Sequence, residues 1–305
     1  MAPPRAGVTV EPVSDRAHAM AWFTAERQVL VSAVRQAADR GFDTHAWQIA
    51  WTLGTFFDYR GHLHDWVEVQ QLALGAARHL ADRTAEARVL RGLAYAAIRQ
   101  RDYDAAHSYF SNALVLAEEL GDDVGRAHVH LNLGQALEQQ SRLPEALTHA
   151  EKALALGRAV GRVHLEATSL AAIGWLHGML GEPAEGLVSC HQAATLLHRI
   201  GDRHGVASTW DSIGYLNSQL SRYPEAMSAY RRALAERRDL GDQRGIAVVL
   251  VHFGESQLAA GDPVAAREAS PPRAEHVDRR PPTAGPRRRP GPCWPARSRT
   301  GGNQG

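Results

Sequence analysis

The 305-residue sequence has a single lysine, Lys152, beside 33 arginines, a skew that matches GC-rich coding and carries no mechanistic meaning. Its two cysteines, Cys190 and Cys293, fall in a predicted helix core and in a proline-rich tail, so no disulfide framework is implied. Aromatic residues make up only 7%. No apolar run approaches the roughly 18 residues of a membrane span, and the opening MAPPRAGVTVEPVSDRA lacks the apolar segment of a secretory leader. A cytoplasmic protein without a membrane partner is expected. HExxH, CxxC and GxxxxGK[ST] are all missing, which removes the common zinc, redox and phosphate-cradling motifs. Alternating strand patterns of useful length are missing too.

What is plentiful is Ala, Leu and Arg, the usage of helices packed through small side chains. The net charge of +1 hides an asymmetry. Residues 271–305 carry eight arginines against Glu275 and Asp278, about +6, which leaves about −5 on the rest. The bulk of the chain is mildly acidic, so direct nucleic-acid binding by it is not expected.

Internal repetition settles the architecture. Gly54, Gly134, Gly174, Gly214 and Gly254 recur at steps of 40, with Ala94 in the vacant slot. Gly121, Gly161, Gly201 and Gly241 form a second column headed by Ala81. Gly61, Arg101, Ser141, Gly181, Ser221 and Gly261 form a third. Within one unit, RHGVASTWDSIGYLNSQL predicts a helix, SRYPE a turn, and AMSAYRRALAERRDL a second helix, with apolar residues three or four apart. Pro224 stands at a first-turn position, where its missing N–H costs nothing, and Gly241 stands just past the second helix.

Trp210, Ile213, Gly214, Ala226, Tyr230 and Ala233 fall on the large and small positions of the tetratricopeptide repeat, and Leu90, Leu93, Ala106, Phe110 and Ala113 repeat the match. The chain resembles that family over about residues 43–268. Two units depart from the pattern. His130 stands where Leu90, Leu170, Trp210 and Leu250 stand elsewhere, and Gly186 and Cys190 fill the small and aromatic slots of the fourth unit. The usual unit is about 34 residues, so a 40-residue step implies helices lengthened by nearly a turn each. The expected fold is all-α, a right-handed α-solenoid of 40-residue helical hairpins.

Residues 1–13 read as a disordered N-terminus, 14–41 as a packing helix, 42–268 as five full repeats plus a truncated sixth, and 269–305 as a disordered Pro/Arg-rich tail. Eight prolines in the last 35 residues preclude the sixth repeat's second helix. Two explanations stand: a natural basic tail, or a frameshift. The break inside a repeat favours the frameshift.

The segments AWFTAERQVLVSAV and HAWQIAWTLGTFFDYRGHLHDW resemble the region leading into the repeats of actinobacterial antibiotic regulators and related STAND-class NTPases. That resemblance implies a sensor region whose partner is a protein, a peptide or a nucleotide-binding regulator module. The same family likeness places the concave surface on first-helix positions. These are Trp51, Arg91 and Asp211 at the fifth position, Tyr95, Gln135, Trp175 and Tyr215 at the ninth, Arg88 and His128 at the second, and Arg99 at the thirteenth. Tyr95, Trp175 and Tyr215 would form an aromatic ladder broken at Gln135, and Arg88, Arg91 and Arg99 a cationic cluster fit for a carboxylate or phosphate. Equally, the aromatics could pack on the next repeat and the arginines form a solvated face. The Lys/Asn clamp of chaperone-binding members is replaced by Trp51 and Thr55.

Metal binding is not expected. His62 and His64, like His128 and His130, are two apart and share no helix face. Neither a nucleophile elbow nor an acid pair points to catalysis, and no cofactor is implied. The reading is a regulatory binding scaffold without nucleotide- or DNA-binding domains. The alternative is a receptor for a small molecule or a signalling peptide.

Overall fold

The computed structural model describes residues 15–264, so the N-terminal and tail expectations (1–13 and 269–305) lie outside the described residues. Twelve α-helices occur there and no strand: α1 (Arg16–Asp39), α2 (Asp43–Arg60), α3 (Leu63–His79), α4 (Arg83–Gln100), α5 (Tyr103–Glu119), α6 (Asp123–Gln139), α7 (Leu143–Ala159), α8 (Val163–Leu180), α9 (Pro183–Arg199), α10 (Arg203–Gln219), α11 (Tyr223–Asp239) and α12 (Gln243–Ala259). The fold is an all-α solenoid of helical hairpins.

The 40-residue step turns out to be two steps of 20. Every described residue with positive φ lies on it, from Gly41 to Gly261. Eight of these twelve are glycine, while Ala81, Arg101, Ser141 and Ser221 hold the left-handed conformation at φ 52–64°. Each such residue ends one helix and reverses the chain. At Gly121, for instance, the Asp122 N–H donates to the Ala117 carbonyl at 2.8 Å and the Gly121 N–H to Glu118 at 3.1 Å, satisfying carbonyls the helix end would orphan. The next helix starts at once. Asp82, Asp102, Asp122, Asp202 and Asp242 each cap one by accepting the N–H three residues on, and Pro144, Pro183 and Pro224 open α7, α9 and α11.

The helices form two rows. The first helices of consecutive hairpins, α2, α4, α6, α8, α10 and α12, touch one another in series, whereas α3, α5, α7, α9 and α11 make no contacts among themselves. The first-helix row is therefore the tighter one and forms the concave side. Helix α1 packs on α2 and α3, pinned by Arg35 on Glu68 through two hydrogen bonds of 2.5 and 2.8 Å and by Arg27 on Asp65.

Both departures from the repeat pattern have structural reasons. In the fourth hairpin a Cβ on Gly174 would lie 2.7 Å from the Gly186 carbonyl and 2.4 Å from Cys190 Sγ. Two backbones touch there, so small residues fill both sides. In the third, the buried His130 faces His149, Nδ1 to Nδ1 at 3.0 Å, one ring donating and the other accepting.

Candidate functional site

The concave-side residues separate into two clusters some three repeats apart. In the C-terminal cluster, Trp175 of α8, Tyr215 of α10 and His252 of α12 form a triangle of tilted rings, with centroids 5.0 Å (Trp175–Tyr215), 6.1 Å (Tyr215–His252) and 6.2 Å (Trp175–His252) apart. Two of the three rings are held by acids. Trp175 Nε1 donates to Glu138 at 2.8 Å, and His252 Nδ1 lies 3.0 Å from the buried Asp211 carboxylate. Burial pushes the Glu138 carboxyl up, against the Trp175 hydrogen bond that favours its charged form. For His252, burial pulls the imidazole down, but the hydrogen bond and charge of Asp211 outweigh it and the net shift is upward.

The N-terminal cluster surrounds a cavity of about 540 Å3 between α2, α3 and α4, opening onto the α6 side through His128 and Asn132. Trp51 and Tyr95 line it from the first helices. Arg91 stands beside Trp51 with its guanidinium 6.0 Å from the ring centroid, and no carboxylate among the described residues forms an ion pair with it. Burial lowers its pKa, with Asp122 opposing and Arg88 assisting. His128 is held at about 4, chiefly by burial and then by the charge of Arg91. At neutral pH Arg91 is thus the one ionised side chain in the cavity wall.

Two more wall residues come from the second helix α3 and were missed by the concave-position mapping: Trp66, 4% exposed, and Gln70, 1% exposed. The 40-step comparison held a signal for both. Trp66 occupies the slot of Ala106, Ala146, Gly186 and Ala226, and Gln70 that of Phe110, Ala150, Cys190 and Tyr230. His252 and Glu138 went unmarked as well, because their roles depend on partners 41 and 37 residues away.

The other expected positions are placed as follows. Tyr95 packs against Trp66 at 5.8 Å and makes no ring contact with the Trp175–Tyr215 pair. The expected ladder is therefore two separate ring clusters. The expected three-arginine cluster is also divided. Arg88 is exposed near Arg91, but Arg99 Nε lies 2.7 Å from Asp58 and its charge is neutralised there.

Folding and face together define an α-solenoid presenting its first helices inward. The tetratricopeptide repeat model matches residues 83–159 and 125–187, so this stretch carries tetratricopeptide repeats. No curated protein matches the sequence. Among solved structures, the chain is similar to BtubC (BKLC) from P. vanneervenii, at 22% identity over 68% of this chain and 87% of that one, with TM-score 0.58. It is similar to a Rap protein complexed with competence and sporulation factor, at 17% identity, covering 73% of this chain and 62% of that one, with TM-score 0.64. A STAND protein with a tetratricopeptide repeat sensor from Pyrococcus horikoshii aligns at 14% identity over 77% of this chain and 35% of that one, with TM-score 0.60. At these identities the likeness is one of fold.

Proposed function

We propose that the protein is a regulatory scaffold whose concave row of first helices docks an extended segment of a partner protein or a peptide, in transcriptional or other signalling control. The observation that carries this reading is the Trp175–Tyr215–His252 ring cluster, with Glu138 bonded to Trp175 and Asp211 to His252. It sets half-buried aromatic faces and hydrogen-bonding groups on three successive first helices of one surface. Such a combination of rigid aromatic area and polar handles is what peptide-binding hot spots use. The Rap protein complexed with competence and sporulation factor and the STAND protein with its repeat sensor lend the signalling sense of the reading their support. A nucleotide-binding regulator module is the partner to test first, and the cytoplasm is the proposed compartment. No described helix is long and apolar enough to cross a membrane.

The one described cysteine, Cys190, is fully buried, and burial pushes its thiol up to about 12, far from a working nucleophile. The experiment is affinity capture by the full chain with identification of the retained partner, followed by the same capture with Tyr215→Ala and with Asp211→Asn. Retention should drop at least about tenfold in Tyr215→Ala, the scale of one aromatic hot spot. Undiminished retention in both variants overturns the docking surface.

A further inference from the structure

Arg91 is the only cation in its column, where Trp51, Leu131, Ala171, Asp211 and Val251 stand in the other hairpins. It lies half-buried in the wall of the 540 Å3 cavity, and no carboxylate among the described residues forms an ion pair with it. Its guanidinium stands 6.0 Å from the Trp51 ring centroid, at the outer limit of a cation–π contact, so the ring replaces little of the lost water. The acid whose charge reaches it, Asp122, caps α6 by accepting the Gly125 N–H at 2.8 Å. A charge drawn out of water and left unpaired is costly, and such groups are ordinarily matched by an anion. The cavity itself has a cause in the sequence. Trp66 stands where Ala106, Ala146, Gly186 and Ala226 stand elsewhere, and so bulky a residue in a small slot keeps the first hairpin from closing as the others do. Gln70 crowds the Gly92 backbone, where a Cβ would meet its Oε1 at 2.9 Å, and Gly92 leaves that stretch of wall without a side chain.

The rest of the wall carries no charge at neutral pH. Trp51 and Tyr95 offer ring surface, Thr52, Thr55 and Asn132 are neutral, and His128 is held at about 4. We propose that this cavity binds a small aromatic monocarboxylate, its carboxylate on the Arg91 guanidinium and its ring against Trp51 and Tyr95. The planar fork of an arginine matches a carboxylate through two parallel hydrogen bonds. One cation and no acid in the wall select a monoanion over a neutral or a cationic ligand. A phosphate monoester, as a dianion, would bring a second charge into the cavity with nothing there to match it. Flat ring surface on Trp51 and Tyr95 favours an aromatic body over an aliphatic one. A volume of 540 Å3 lies within the range of small-molecule sites. This site is separate from the Trp175–Tyr215–His252 docking surface, and either can fail without the other.

The test is calorimetric titration of the full chain with β-naphthoate, a rigid ring system bearing one carboxylate. A ligand of its size at ordinary efficiency reaches a Kd of about 1 mM or tighter. β-Naphthylmethanol, which is neutral, and β-naphthylmethylammonium, which is cationic, should each bind at least about tenfold more weakly. Cyclohexanecarboxylate keeps the charge and loses the aromatic face, and should bind about threefold more weakly. Arg91→Gln should weaken β-naphthoate at least about tenfold while Tm stays at or above the wild-type value, because the variant removes a half-buried, unpaired charge. Trp51 is 43% exposed, so Trp51→Ala should fold normally and weaken β-naphthoate by about the same factor. A merely structural role for Arg91 would lower Tm in Arg91→Gln and leave affinity alone. Absence of saturation by about 10 mM β-naphthoate, equal binding of the alcohol, tighter binding of β-naphthyl phosphate, or an Arg91→Gln affinity within about twofold of wild type each overturns the assignment.

Discussion

Two histidines in this solenoid respond to pH in opposite senses, and their surroundings say why. His130 lies buried in the third hairpin against His149, and burial, then the His149, Lys152 and Arg126 charges, lowers it to about 4. His252 is raised because Asp211 outweighs burial. Between pH 6.5 and about 4 the unfolded chain holds a proton on His130's counterpart that the folded chain refuses. Stability therefore falls as the pH drops through that window, by about 1.4 kcal/mol per unit for a single such group. The His252–Asp211 pair contributes stability that is present below pH 6.5 and lost as pH rises through the raised value, so it offsets part of this only on the acid side. The expected outcome is a Tm that declines by several degrees from pH 7 to pH 5. His130→Leu, which restores the residue found at 90, 170 and 250, should flatten the decline. An identical decline in that variant would assign it to other groups, His128 foremost.

Elements here are joined by a turn so uniform that its weak points can be named. Gly121, Gly161, Gly201 and their kin take the left-handed conformation without a Cβ clash, but Ala81, Arg101, Ser141 and Ser221 take it against steric cost. Replacing each of these four by glycine should stabilise the protein by about 1 kcal/mol. Because each site sits in its own turn and shares no partner with the others, the gains should nearly add. Gly121→Ala should cost a comparable amount. Urea denaturation of the four single variants and their combination is the check, and a loss of stability in Ser141→Gly or Ser221→Gly would mean that the side chain compensates for its own strain. These turns were legible in sequence as two of the three 40-step columns, and the helices between them followed from the apolar spacing. Legibility stopped at pairings between repeats. Asp58 neutralises Arg99 from 41 residues back, and nothing at either position announces it. Trp66 and Gln70 were passed over because the family likeness directs attention to first helices, while these two enter the concave side from a second helix across Gly54 and Gly92. Their signal was a break in the columns rather than agreement with them.

At the scale of the whole array, each hairpin contacts only its neighbours, so stability is distributed as in a one-dimensional stack. The interior is tied from both sides: α8 packs against α7, α9, α6 and α10. At the N-terminal side α1 covers α2 and α3, with the Arg35–Glu68 and Arg27–Asp65 pairs across the contact. Helix α12 is different. Among the described residues it touches α10 and α11, it buries Gly245, Val249 and Ser256, and it leaves Val248, Val251 and Leu258 exposed. Little apolar burial places α12 at the low end of local stability among the described helices. Amide hydrogen exchange should therefore be fastest in α12, slower in α11, and slowest in α6–α10, with α2 and α3 closer to the interior than to α12. That gradient bears on function, since His252, which completes the Trp175–Tyr215 ring cluster, belongs to the helix that opens first. A segment docked on the cluster would be held on a surface that is assembled only while α12 is closed, so its binding should slow exchange in α12 more than in α4 or α6. Protection spread evenly over the array on partner binding would count against this coupling, and so would α12 amides as slow as those of α8 in the free protein.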